Sequence, residues 1–295
     1  MTAIRAALAP RGTRSDLRLR EILFRIALYV SVAVGVIALI TLVVQVTVKG
    51  WDQLNWGIVS NFPSSLPSRA GAQSAIVGTI WLMAIVAATT LPLGVGAAIY
   101  LEEYADKDRW WNRAIEMNIQ NLAAVPSIVY GILGLAFIAR GPLDLGFVLL
   151  AGGLTLALLV LPIVIISSRE AIRSVPPSIR EGSLALGATR WQTVRRQVLP
   201  AAIPGIATGA ILSLSRAIGE AAPLVLLGAV TFVAFNPTGL DSQFTALPIQ
   251  IFNWISRPQE DFKVLAAAAI VVLLVMLLAM NATAIWLRNR YQRKW

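Results

Sequence analysis

Apolar positions in this chain gather into long runs separated by short polar or charged segments. Six runs reach the roughly 20 residues that a helix needs to cross about 30 Å of hydrocarbon. They lie near 22–48, 75–101, 115–139, 146–168, 203–234 and 263–287. The pattern predicts an all-α polytopic membrane protein with six transmembrane helices. It divides into a tail (1–21), a first helix with its following loop (22–72), a membrane core (73–287) and a short tail (288–295). The first run follows Arg5, Arg11, Arg14, Arg18 and Arg20. A secretory signal has a similar charged start, but its apolar core is only about 7–15 residues. This run is longer and lacks an obvious small-residue cleavage site, so it reads as a retained helix.

The segments between runs differ in character. Residues 51–71 carry Trp51, Trp56, Pro63 and Pro67, and residues 236–260 carry Asn236, Pro237, Gly239, Trp254 and Pro258. Tryptophan there fits an aromatic belt at the membrane edge. Prolines also fall inside the runs: Pro92, Pro126, Pro162, Pro204 and Pro223. Each removes a backbone donor and disturbs the preceding turn. Two readings stay open, kinks that serve packing or broken helices that line a path.

Composition supports the membrane reading. Of 295 residues 57% are hydrophobic and 14% charged, against roughly 25% charged in a soluble domain. The net charge is +10. Counting Lys and Arg by segment explains that surplus. With the N-terminus inside, 1–21, 102–113, 169–200 and 288–295 hold 18 of the 25 basic residues, and the outer segments hold five. That bias expects both termini in the cytoplasm and displaces nucleic-acid binding as the reason for the charge.

The chain has no Cys and no His. Thiolate metal sites, Cys nucleophiles, His bases and His-ligated metals are therefore excluded. Lys49, Lys107, Lys263 and Lys294 are the only lysines. None follows a Gly-rich phosphate loop. Any ATP that drives this protein is hydrolysed by another polypeptide, and no cofactor, metal or catalytic residue is expected here.

The segment 169–200 holds a short helical unit. Ser178 and Glu181 have capping-box spacing, Gly187 suits a left-handed helix end, and Thr189 and Gln192 repeat the capping spacing. Leu199-Pro200 is expected to close the unit. This pattern resembles the EAA loop of ABC-importer membrane subunits, whose Glu, Gly, Leu and Pro fall here at Glu181, Gly187, Leu199 and Pro200. Gly182 and Ser183 stand where that family has two alanines, and Gln197 stands for its isoleucine. The resemblance implies that the loop docks on a cytoplasmic ATPase, and Glu181 can serve as a cap as well as a contact.

Further stretches are similar to the PstA family of phosphate-importer permeases: 91–94, 98–104, 125–131, 216–223 and 244–248. The sister PstC family shares the Arg-Ala-x-Gly-Glu piece. Some relatives carry an Arg at the end of the fourth span; Ile166 and Ser167 stand there, so no basic contact is carried over. The resemblance implies a non-catalytic subunit, a PstC-like second permease, two PstB-like ATPases holding ATP-Mg and a PstS-like phosphate-binding protein.

Arg216 and Glu220 lie midway along the fifth run, four residues apart and on one helical face. A central charge costs about 2.5–3.5 kcal/mol on insertion scales. The pair is either a buried structural bridge or part of an anion path, since Arg donors suit phosphate oxygens. Ser127 and Tyr130 are weaker path candidates, as are Asn118, Gln120, Asn121, Ser213 and Ser215. Other readings are a permease for sulfate or molybdate, an intramembrane enzyme acting on phosphate groups, or a passive channel. Glu220 is the only carboxylate expected deep within a span.

Overall fold

The computed structural model describes residues 14–106, 108–227 and 232–291. Arg5, Arg11, Lys107, Lys294 and residues 228–231 of the fifth run lie outside them. Among the described residues all regular structure is helical. The chain divides into two compact units, Met1–Lys49 and Gly50–Trp295. The first contains α1 (Arg14–Gly50) up to its last residue, a helix whose best window has a mean hydropathy of 2.7.

The second unit is built on α3 (Gln73–Ile99), which follows the small helix α2 (Trp56–Ser60), and on α6 (Leu149–Arg173), which follows the pair α4 (Trp110–Ala123) and α5 (Ser127–Leu133). Lipid tails offer no hydrophobic drive for helix association, so close packing has to supply it. Small residues allow that approach. A Cβ on Gly94 would stand 2.6 Å from Val164 Cγ1, and one on Gly153 would stand 2.5 Å from Ile85 Cγ2. Leu82, Val86, Leu156 and Val160 fill the seam, together with Leu224, Phe244 and Ile249. Pro92 and Pro162 remain inside continuous helices.

Among the described residues five helices are long and apolar enough to cross a membrane, or six if one bent pair counts as a span. The bent pair corrects the third expected span. Residues 115–139 are not one helix: α4 and the α5 segment meet at 107°. Pro126 is the cause, because its ring disfavours the helical conformation of Val125 and its own ψ is 138°. α4 is amphipathic, with charged and apolar faces, and α5 continues through a π-helical turn, Gly134–Ala139.

The fifth expected span, 203–234, is corrected as well. Its helix begins earlier, at Arg190, and stops at Ile218. It comprises α8 (Arg190–Thr193), a π-helical turn (Val194–Val198) and α9 (Leu199–Ile218). Leu199-Pro200 therefore does not close the preceding unit. Pro200 cannot bond the carbonyl four residues back, and the wider π-helical turn just before it accommodates the missing donor. Beyond Gly219, the described residues of this run hold a five-residue helix, α10 (Ala222–Leu226).

The last two described helices are α11 (Leu247–Ile255) and α12 (Glu260–Tyr291). They pack with the 51–72 segment: Ile58, Ala70 and Ala72 meet Trp254, Phe262 and Leu265 in one buried cluster. Trp51 and Trp56 are exposed, as an aromatic belt requires, but Trp254 is fully buried and is a core residue instead. The loop before α11 also serves α6, whose first free amides at Leu149 and Leu150 donate to the carbonyls of Ser242 and Leu240.

Candidate functional site

The unit predicted within 169–200 is present, with one correction. α7 (Pro177–Ala185) begins on Pro177, so its N-cap is Pro176 and no side chain caps it. Ser178 and Glu181 thus form no capping box; proline at the first position has moved the helix start into the sequence ahead of Ser178. At the other end Gly187 takes φ +82°. Its amide donates to Leu184 O (2.9 Å) and that of Ala188 donates to Ser183 O (3.2 Å), the paired bonds of a Schellman motif. Thr189 then caps α8 reciprocally with Gln192. Leu186 projects 91% exposed beside Gly187. A cavity of about 430 Å³, lined by Ser178, Gly182, Gln192 and Arg196 among others, opens between the short helices. Leu199 and Pro200 lie a turn beyond, in the helix that enters the core.

Arg216 and Glu220 do pair: Arg216 Nε donates to Glu220 Oε1 at 3.3 Å. Their setting differs from the expected one. Arg216 is in the last turn of α9, and Glu220 lies beyond the helix end. Their side chains keep 45% and 19% exposure, so this is not a buried mid-span pair. Gly219 caps the helix end and Pro223 lies in the first turn of the next, which brings the charges to a break. A guanidinium in a last turn also faces the negative end of the helix dipole. The second broken element adjoins this one, since a Cβ on Gly131 would lie 2.7 Å from Pro223 Cα. Arg216 is in electrostatic range of Tyr130. Tyr130 itself is buried, and its hydroxyl donates to Leu122 O at 2.8 Å, tying α5 to α4 across the bend. Ser127 sits half-buried in the first turn of α5. Ser215 donates to Asn281 Oδ1 on α12 at 2.8 Å, an interhelical bond, while the Ser213 hydroxyl donates to Gly209 O within its own helix.

The most buried charges are elsewhere and were missed. Arg169 Nε donates to Glu102 Oε1 (2.9 Å) and its Nη2 to Glu116 Oε1 (2.7 Å). The Arg169 and Glu102 side chains retain 7% and 4% exposure. Arg173 Nη2 also reaches Glu102 Oε1, at 2.7 Å. Next to it, Glu103 (8% exposed) receives Arg180 from α7. Glu220 is therefore not the deepest carboxylate, and a basic residue does hold the end of the fourth span, two positions beyond Ser167. These charges stand where α3 leaves through its π-helical turn, Tyr100–Tyr104, and α6 ends. The available signal was complementarity: Glu102, Glu103 and Glu116 around one segment, Arg169, Arg173 and Arg180 in another.

Comparison with known proteins agrees with this architecture. The "Probable ABC transporter permease protein YqgI" of Bacillus subtilis (strain 168) is 31% identical over 268 residues, 87% of this chain and 90% of that protein. The "Phosphate transport system permease protein PstA 1" of Mycobacterium tuberculosis (strain ATCC 25618 / H37Rv) is 31% identical over 267 residues, covering 88% and 84%. A chain of a bacterial alginate ABC transporter, solved with its alginate-bound periplasmic protein, superposes with a TM-score of 0.69 at 17% identity, covering 95% of this chain and 98% of that one. Residues 90–294 match the family described as "Binding-protein-dependent transport system inner membrane component". With the membrane helices, the broken fifth element and the relatives above, this chain belongs to that family, the multi-pass inner-membrane permease subunits of ABC importers, in which separate ATPase subunits hydrolyse the ATP.

Proposed function

We propose that this chain is the PstA-type permease of an inorganic-phosphate importer. The observation that carries the reading is the similarity, across nearly the whole chain, to proteins named as phosphate permeases in Mycobacterium tuberculosis and Yersinia pestis, each 31% identical. The chain lines a translocation path together with a PstC-like permease. Two PstB-like ATPases hold the ATP-Mg, and a PstS-like protein delivers phosphate to the outer segments. Both termini face the cytoplasm, as the bias of basic residues favours.

The loop from 169 to 200 passes ATPase closure to the core, with Glu181 and Gly187 at the docking unit and Leu199 and Pro200 in the helix that carries the movement inward. The Schellman turn that presents Leu186 supports this. Arg216, beside Glu220 and in electrostatic range of Tyr130, offers a half-exposed guanidinium at a break in the helix, with Ser127 as a further candidate on the path. Breaks in membrane helices are where transporters place ligand sites. Glu220 partly neutralises Arg216, which favours release of the anion as well as its capture.

The test is phosphate uptake by vesicles reconstituted with all four kinds of subunit. Arg216→Gln is expected to abolish most uptake while the complex still assembles. Unchanged uptake removes Arg216 from the path. Competition by sulfate or molybdate, with phosphate failing to compete, assigns the permease to another oxyanion.

A further inference from the structure

The short helix α7 has no buried residue. Apolar packing, the ordinary means of fixing one helix to another, is therefore not what holds it. The buried cluster beneath it is formed by Ala98, Ala171, Ile172, Val175, Val198 and Ala202, none of which belongs to α7. Arg180 is the α7 side chain whose hydrogen bonds reach the ends of the membrane helices.

Its guanidinium makes four bonds in two directions. Nε and Nη2 donate to Glu103 Oε1 at 2.9 and 2.8 Å. Nη1 donates to Val175 O at 2.6 Å and Nη2 to Ile172 O at 2.8 Å. Ile172 is in the last turn of α6 and Val175 lies just beyond it, where carbonyls have no partner within the helix and the dipole favours a cation. Glu103 belongs to the π-helical turn that ends α3. The planar fork of arginine suits such a two-sided grip, and a lysine could not reproduce it. The neighbouring short helix makes a parallel contact, with the Arg190 guanidinium 5.3 Å from the centre of the Tyr104 ring.

We propose that Arg180 and Glu103 form a clasp that positions the loop helix on the ends of α3 and α6, so that movement of the loop is passed to the two central helices of the core. This rests on the reading of the 169–200 loop as the ATPase docking unit. Without the clasp α7 remains tethered through its turn to α8, including the Ser183–Thr193 hydroxyl contact at 2.9 Å, but it can shift without moving α3. A complex lacking the clasp then hydrolyses ATP without proportionate transport.

The test uses the full complex in proteoliposomes, with inorganic phosphate as the probe, and reads phosphate imported per ATP hydrolysed. Arg180→Met is expected to lower that ratio by about tenfold, within the usual range of coupling between sites. Glu103→Gln keeps an acceptor but loses the charge, and should fall between Arg180→Met and the unaltered chain. Because the chain has no cysteine, the pair Glu103→Cys with Arg180→Cys can be bridged selectively by a short bis-maleimide. The unbridged pair should be uncoupled and the bridged pair should recover. A wild-type ratio in Arg180→Met or in the unbridged pair overturns the proposal, as does a bridged pair that stays uncoupled with its ATPase bound. If Arg180→Met loses its ATPase, the cysteine pair decides. Leu186→Asp tests the underlying reading separately: it should release the ATPase. Retention of the ATPase in that variant discards the docking assignment itself, whatever the clasp variants do.

Discussion

Two groups of charges in this molecule show opposite relations between sequence distance and burial. Arg216 and Glu220 are four residues apart, yet the pair lies at a helix end with the guanidinium about half exposed. Arg169 and Glu102 are 67 residues apart, yet both are almost fully enclosed. The local pair needs no tertiary structure to form and contributes little to holding it together. The distant pair exists only once α3 and α6 have packed, and each enclosed charge relies on partners from other segments, Arg169 on Glu102 and Glu116, and Glu102 on Arg169 and Arg173. A buried charge that loses its partner costs far more than an exposed pair gains. The difference separates charges enclosed by the packing of distant helices from a charge left partly exposed at a helix end.

The strongest way to break this contrast is Arg169→Ala. It withdraws the inner partner of Glu102 and is expected to destabilise the chain by about 3 kcal/mol, read as thermal unfolding of the detergent-purified protein. Arg169→Met together with Glu102→Leu should regain most of that loss, because apolar residues of similar volume can replace a buried pair. If the single and double variants unfold at the same temperature, Glu102 is not held by Arg169.

A smaller effect is expected at Gly187, whose φ of +82° suits no other residue well. Gly187→Ala should cost about 1–2 kcal/mol. Gly182→Ala, inside α7 with open space around it, should instead gain about 0.5–1 kcal/mol. Hydrogen exchange of the 177–190 amides would register both, and equal effects would deny that the turn is conformationally demanding.

Next in size, Tyr130→Phe removes the hydroxyl that bridges the α4–α5 bend and should cost about 1 kcal/mol. The loss should appear as faster exchange near residue 122. An unchanged pattern would mean that Pro126 alone holds the bend. The smallest stability effect belongs to Arg216→Gln, within about 0.5 kcal/mol, although its effect on uptake is expected to be large. A substantial drop in melting temperature would turn Arg216 into another structural charge and erase the contrast.

Much of the architecture was legible because it depends on length and local chemistry. Apolar runs of membrane length located the long helices. Gly187 and the Thr189–Gln192 spacing located the turn and the start of α8, since capping involves residues only a few positions apart. Where boundaries failed, proline was the reason, though its result depended on context. Pro92 and Pro162 stayed inside helices while Pro126 broke one. Ser178 lost its capping role because Pro177 can open a helix itself. Hydrophobicity alone could not separate these cases, as the runs read the same on both sides of each break.

By itself the sequence determined that the chain enters a membrane, that its own residues lack the groups for thiol or imidazole chemistry, and that a helix–turn–helix precedes the fifth element. These follow from composition and from interactions within one or two helical turns. Only the tertiary structure decided that Arg169 meets Glu102, that Arg180 grips Glu103 and the end of α6, and that Arg216 stands at a helix break. The reason is physical: whether a charge is solvated, paired or exposed depends on which distant segment packs over it, and no local spacing carries that information.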